Sequence, residues 1–208
     1  MKRIFILTGL LLLLITDFVL AKADVSAMPV LKFNGAKYTL MYSANSKETG
    51  GYLNEYYKAN QTYASWTDLI GVHHYPTAFY PIEHAKEFAA YLNETGIPAH
   101  LEEDNENNRA LLYFLIIDKR KLPIIMEFNV FKYEKSPVCG TVGLQYAKRY
   151  RLNNPLEVDK ARKEILKNGI KYIKQLNKLE VPEVINQEID KGKYSIKEGC
   201  NNEMENLE

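Results

Sequence analysis

Apolar and polar residues alternate with a period of two over much of the chain, which is typical of β-strands with one buried face. The first two strands are predicted near residues 30–33 and 36–42, because Asn34-Gly35 between them fits a two-residue type I′ turn. Residues 52–63 show no clear period, so no element is assigned there. Their tyrosines either cover a sheet edge or line a binding groove; they are Tyr52, Tyr56, Tyr57 and Tyr63.

A further strand is predicted over residues 66–75, followed by a short helix. Alternation assigns to one side of this strand the residues Trp66, Ile70, Val72 and His74. His73 therefore lies on the opposite side. Pro81 suits the first turn of the helix and Gly96 suits its end, and at helical spacing His84 is expected to face solvent.

The closely spaced histidines His73, His74 and His84 raise the question of a metal site, and their spacing argues against one. Zinc ligands commonly stand two apart on a strand or four apart on a helix, and neither pattern occurs. We therefore predict structural histidines and assign no metal ligand, catalytic residue or cofactor. A fold that gathers His74, His100 and an acidic residue is the alternative.

Four more strands and a long helix complete the pattern. The strand segments read IPAHLEE, RALLYFLIID, IIMEFNVFKYE and CGTVGLQYAKRYRL, and their short connections predict antiparallel neighbours. Asn154 then fits a helix N-cap, with Pro155 at the first helical position and Glu157 in the capping-box position. An apolar stripe continues at helical spacing through Val158, Ala161, Ile165, Gly169, Tyr172, Leu176 and Leu179.

The order of these elements predicts an α+β fold, a mainly antiparallel sheet of six to seven strands with one short and one long helix packed on it. This order resembles the small sandwich of the Mog1/PsbP-like proteins. The resemblance covers element order alone and rests on no motif of that family. It therefore implies a fold, and it implies no activity, ligand or site residue.

The N-terminus has the parts of an export signal, namely basic residues, an apolar run and small residues before position 24. We expect residues 1–23 to be a cleaved signal peptide and residues 24–181 to form a single α+β domain. The mature protein is then periplasmic or extracellular. An uncleaved membrane anchor is the alternative, although the apolar run is short and contains Asp17.

Charge and cysteine content narrow the class of protein. Without residues 1–23 the chain has 24 basic and 25 acidic side chains, and this near-neutral balance argues against a nucleic-acid partner. Residues 182–208 hold seven acidic and three basic side chains and are predicted to be an acidic, mobile tail. Cys139 and Cys200 are expected to form a disulfide after export, with a reactive thiol at Cys139 as the alternative.

The most polar constellation comes from the third and fourth strands of the meander. If the hairpin closes near residues 135–138, Asn129 lies near Gln145, and Glu127 lies near Arg149. Such a patch can recognise a ligand, because a guanidinium offers a planar fork and the amides add direction. The alternative is a solvated sheet face with a cross-strand ion pair.

The long helix presents a second candidate surface. Opposite its apolar stripe stands a row of lysines, namely Lys160, Lys163, Lys167, Lys171, Lys174 and Lys178. Such a row attracts an anionic membrane surface or an acidic partner, or it is an ordinary solvated face. Membrane contact, if any, is expected to be peripheral.

These features predict an exported, non-enzymatic cell-envelope or secreted protein that binds a protein or envelope component through the exposed sheet face or the lysine row. A small-molecule or metal-binding module is the alternative, and a hydrolase with scattered catalytic residues is a third hypothesis. The sequence has no Ser-His-Asp order and no phosphate-binding glycine loop that would favour an enzyme.

The export signal makes a direct prediction. We expect the mature protein to begin at Asp24, because the basic start, the apolar run and the small residues agree on that cleavage position. N-terminal sequencing of the protein from envelope or medium fractions measures it. A full-length species retained in membranes would contradict it.

Overall fold

A computed structural model describes residues 29–45 and 50–185. Within them the chain forms eight strands and two helices. The strands are β1 (Val30–Phe33), β2 (Ala36–Asn45), β3 (Tyr52–Tyr57), β4 (Asp68–Tyr75), β5 (Ala99–Asp104), β6 (Arg109–Asp118), β7 (Ile124–Lys135) and β8 (Thr141–Leu152). The helices are α1 (Pro81–Glu94) and α2 (Pro155–Lys178).

All the described strands join one antiparallel sheet in the order β1-β2-β3-β4-β8-β7-β6-β5. The predicted α+β class is therefore confirmed, with eight strands in place of six to seven. The additional strand is β3, which lies in the segment that showed no clear period. The sheet consists of two meanders, β1–β4 and β5–β8, and the pairing of β4 with β8 joins them.

The two helices pack on opposite faces of the sheet. The α2 face is the one on which α2 packs, mainly over β7 and β8. Its core is formed by large apolar side chains from both meanders and from α2, including Leu40, Ile70, Met126, Leu144 and Leu176. The α1 face is the other side of the sheet, and α1 packs there mainly over β5, β6 and β7. The core under α1 includes Ile82, Leu112, Phe114, Phe131 and Tyr133.

Several local predictions are confirmed. Asn34 and Gly35 both have positive φ angles, as the type I′ turn requires. The Asn154 side chain accepts a hydrogen bond from the backbone N–H of Glu157 at 3.0 Å. The Glu157 carboxylate accepts one from the N–H of Asn153 at 2.8 Å. The first bond satisfies a donor that the first helical turn would otherwise leave free, and the second ties the residue before the N-cap to that turn.

The chain after α2 stays on the α2 face. Lys132 is 3% exposed, and its ammonium donates to the Leu179 carbonyl at 2.6 Å just beyond the helix. Asn54 exchanges two hydrogen bonds with the backbone of Ile185, at 3.0 and 2.8 Å. The packed unit therefore extends to Ile185. The rest of the predicted tail, the predicted signal peptide and Cys200 lie outside the described residues, so the Cys139–Cys200 disulfide stays a prediction.

Two sequence predictions about side-chain direction are wrong. Trp66 precedes β4 and packs with Tyr57 and Leu69 on the α1 face, away from Ile70 and Val72. The strand begins at Asp68, so its alternation does not extend back to position 66. His84 is half-buried, and its ring centroid lies 4.3 Å from that of Tyr75. The angular position of His84 on the helix could not predict this contact. Tyr75 belongs to a different element, and it lies beside α1 because β4 ends there.

We predict that Trp66→Ala lowers the free energy of unfolding by about 3 to 5 kcal/mol, the range for removing a large buried aromatic ring. Trp66 is 5% exposed, whereas Tyr63 in the same loop is 75% exposed. Tyr63→Ala is the matched control and should change stability little. Urea unfolding measures both variants, and equal midpoints would contradict the assignment of Trp66 to the core.

Candidate functional site

The middle of the α1 face lies between α1 and the loop that carries Trp66, and its side chains are polar. We call six residues there the polar strip: Glu55, His73, Glu127, Asn129, Gln145 and Arg149. They come from the four adjacent strands β3, β4, β8 and β7. All except Asn129 are partly exposed, so solvent or a ligand can reach them.

Gly71 at the centre of the strip allows two of these residues to meet. It stands between Glu55 and Gln145 in the cross-strand register. A Cβ atom at position 71 would lie only 2.8 Å from Gln145 Oε1 and 2.9 Å from His73 Nε2. Because glycine has no Cβ, these two side chains lie over its backbone and approach each other to 2.8 Å.

A chain of hydrogen bonds runs from His73 to Asn129. With its Nε2 protonated, His73 donates to Gln145 Oε1, and Gln145 Nε2 donates to Asn129 Oδ1 at 2.8 Å. Asn129 is 2% exposed, and its Nδ2 is buried without a hydrogen-bond partner in the part of the chain that the structure describes. Buried amide donors are rarely left unpaired. The chain therefore ends in a donor that is available to a water molecule or a ligand after a small side-chain movement.

Arg149 is held rigidly at the other end of the strip. Its Nε donates to Glu127 Oε1 at 2.7 Å, and its guanidinium carbon lies 3.6 Å from the centre of the Trp66 ring. Stacking and ion pairing together fix the plane of the guanidinium. The two other guanidinium nitrogens of Arg149 make no hydrogen bond to the described residues and can act as donors.

Glu55 adds a second carboxylate beside Arg149. It accepts a short hydrogen bond from the hydroxyl of Tyr57 on the same strand. Burial raises the pKa of the Glu55 carboxyl, although the Tyr57 hydrogen bond and the charge of Arg149 oppose the rise. The strip thus contains two acidic groups and one basic group.

His73 is neutral at physiological pH. Burial lowers the pKa of its imidazole, and the hydrogen bond to Gln145 only partly offsets that effect. Its ring also lies against Phe131 and Tyr75, with centroid distances of 5.4 and 6.2 Å. A neutral imidazole in this position is an aromatic and hydrogen-bonding group, not a charged one.

The structure brings together the four residues that the sequence proposed as a ligand patch. Glu127 and Arg149 stand directly opposite each other in the register, and Asn129 and Gln145 are diagonal neighbours. Sequence reasoning missed His73, Glu55 and the glycine beneath them. Glu55 was missed because the YLNEYY segment lacks a clean alternation, so no face could be assigned to β3 from the sequence.

The other histidines lie apart from the strip. His74 is on the α2 face side of β4, and its Nε2 is 2.9 Å from the Cys139 carbonyl oxygen. His100 is exposed near Glu102. Within residues 29–45 and 50–185 no group of three or more His, Cys, Asp or Glu side chains is placed to hold a metal ion.

The lysine row is a separate surface. All six predicted lysines are exposed on the outer side of α2, which packs on the sheet face opposite the polar strip. In the described part of the chain, no helix is long and apolar enough to cross a membrane.

A family comparison agrees with the extent of the fold. The model of one uncharacterised protein family matches residues 26–187, which include every described strand and helix. The chain belongs to this family. No curated protein and no solved structure matches the chain.

We predict that His73 makes the folded state less stable as the pH falls from about 7.5 to 5.5. Its folded-state pKa is lowered, so the unfolded chain takes up the proton first, near the usual value of 6.5. The contribution of His73 to the free energy of unfolding is therefore complete above that pH and declines below it. Burial also lowers the pKa of His84, so the contribution of His73 is measured as a difference between proteins.

Urea unfolding of the wild type and His73→Gln across this pH range gives that difference. The variant should lose less stability on acidification than the wild type does. His100→Gln is the matched control, because His100 is exposed, and it should follow the wild type. Parallel pH profiles for the wild type and His73→Gln would contradict the prediction.

Proposed function

We propose that this protein is an exported, non-enzymatic cell-envelope or secreted protein that binds a polar partner through the polar strip. One observation carries the proposal: polar side chains from three adjacent strands, most of them part-exposed, are linked by hydrogen bonds across the centre of a sheet face, and Glu55 on a fourth strand lies beside them. Export is supported by the N-terminal sequence pattern.

The position of the strip favours binding over a purely structural role. Central strands of a sheet are the most rigid part of a fold, and rigid elements hold a binding site with little loss of entropy. Here they hold amide, imidazole and guanidinium groups that remain partly accessible. A sheet face that served only to bury apolar surface would carry apolar side chains at these positions, as the region beneath α1 does.

The charges of the strip indicate the class of ligand. Glu55 and Glu127 both lie beside Arg149, and Glu127 already accepts a hydrogen bond from it. An incoming carboxylate or phosphate would therefore meet two acidic groups. We propose a ligand that is neutral or cationic and rich in hydroxyl or amide groups, since these match the free donors and acceptors.

The retention of envelope components on the immobilised mature protein tests this proposal. We predict that the double variant Glu55→Gln/Gln145→Ala binds the specific ligand roughly thirtyfold more weakly, since two lost hydrogen bonds of about 1 kcal/mol each sum to about 2 kcal/mol. Lys119→Gln, at an exposed loop position, is the control and should retain it. Quantitative mass spectrometry of the eluates measures the difference, and circular dichroism confirms that each variant is folded.

A thermal-shift panel of neutral, cationic and anionic small molecules tests the ligand class. Neutral or cationic polar compounds should raise the melting temperature of the wild type and not that of the double variant. Stabilisation by anionic compounds alone would contradict the proposed ligand chemistry. Equal retention of all components by the wild type and the double variant would contradict the site itself.

A further inference from the structure

We propose that the outer face of α2 docks on an anionic lipid bilayer and lies in the plane of its surface. This surface is on the opposite side of the sheet from the polar strip and does not depend on the function proposed for the strip. Two observations carry the inference, namely exposed apolar residues along the helix and the charge that surrounds them.

Three large apolar side chains of α2 point away from the protein. Leu156, Leu166 and Ile170 are 81%, 79% and 64% exposed. With Val158 on the buried stripe as the origin, the helical period places all three on one arc, roughly 80° to 160° away. Single exposed apolar residues are common on protein surfaces, but three on the same side of one helix form a surface that gains free energy when water is removed.

The charge on the same helix is strongly positive. α2 carries seven basic and three acidic residues. None of the six lysines of the row forms an ion pair with another described residue, so their charges are free to act at a distance. Two of the acidic residues are engaged within the fold, since Glu157 caps the helix and Glu164 accepts a hydrogen bond from Tyr150.

The arrangement of lysines and apolar residues fits a flat interface. Lys163, Lys167 and Lys174 lie roughly 140° to 180° from Val158 and therefore border the apolar arc. A helix at a membrane surface inserts its apolar side chains just below the headgroups, while long lysine side chains reach the lipid phosphates. Each lysine near an anionic surface adds a favourable electrostatic contribution that salt weakens.

An acidic protein or the acidic segment 182–208 of the same chain is the rival occupant of this face. Either one can neutralise the charge of the lysines. A purely electrostatic contact, however, leaves the side chains of Leu166 and Ile170 exposed to water. A bilayer satisfies both groups of residues at once, which is why we favour lipid. Binding that needs the two apolar side chains as well as the lysines distinguishes a bilayer from a purely electrostatic partner.

Vesicle sedimentation with the mature full-length protein tests the proposal. The probes are vesicles of phosphatidylcholine alone and vesicles in which about one third of the lipid is phosphatidylglycerol. The protein should bind the anionic vesicles and not the neutral ones, and high salt should weaken the binding.

Two helix variants and one matched control complete the experiment. The charge variant Lys167→Gln/Lys171→Gln/Lys174→Gln should bind anionic vesicles on the order of a hundredfold more weakly. The apolar variant Leu166→Gln/Ile170→Gln should lose about tenfold or more. The loop control Lys119→Gln/Lys121→Gln/Leu122→Gln removes an exposed basic and apolar group outside α2 and should bind like the wild type.

Three results would overturn the inference. The first is no binding of the wild type to anionic vesicles, which would show that this face does not dock on an anionic bilayer. The second is wild-type binding by the apolar variant, which would show that the attraction is purely electrostatic and that Leu166 and Ile170 do not insert into the bilayer. The third is an equal loss in the loop control, which would show that the attraction is not specific to α2. Melting curves for each variant establish that a loss of binding is not a loss of folding.

Discussion

The helices α1 and α2 have to cover the two broad faces of one sheet, and they do not have enough surface to do so. On the α2 face, the helix and the segment that follows it close over a continuous apolar core. On the α1 face, α1 packs mainly over β5, β6 and β7 and touches β4 only at its end. The uncovered half of that face cannot be apolar without aggregating, so polar side chains occupy it on the central strands of the sheet.

The uncovered region is bounded by two apolar clusters that fix its shape. The cluster under α1 includes Phe131 and Tyr133, and the cluster around Trp66 includes Tyr57 and Leu69. Gly71 and Gly143 lie between them on β4 and β8. At both positions a Cβ would collide with a neighbouring side chain, His73 and Gln145 at the first and Tyr133 at the second. The two glycines therefore allow the large neighbouring side chains to lie flat across the sheet.

Much of this fold follows from local sequence rules. The remaining parts depend on contacts between distant segments of the chain. The Asn34-Gly35 turn and the Asn154 cap were predictable because each needs only a few neighbouring residues. The pairing of Glu127 with Arg149 followed from one short hairpin. By contrast, β3 lacks a clean alternation because Tyr56 and Tyr57 are both buried, on opposite faces. The contact of His84 with Tyr75 arises only once α1 is placed against the end of β4.

The pairing of β4 with β8 also limits the order in which the strands of the sheet can pair during synthesis. Asp68 pairs with Lys148 and Tyr75 with Thr141, so the first meander meets its partner strand only after most of the chain has been synthesised. Until then β4 presents an open edge of backbone donors and acceptors, which other extended chains can pair with. Long-range pairing of this kind slows folding. A nascent chain of this topology therefore keeps one edge of β4 unpaired until β8 has been synthesised.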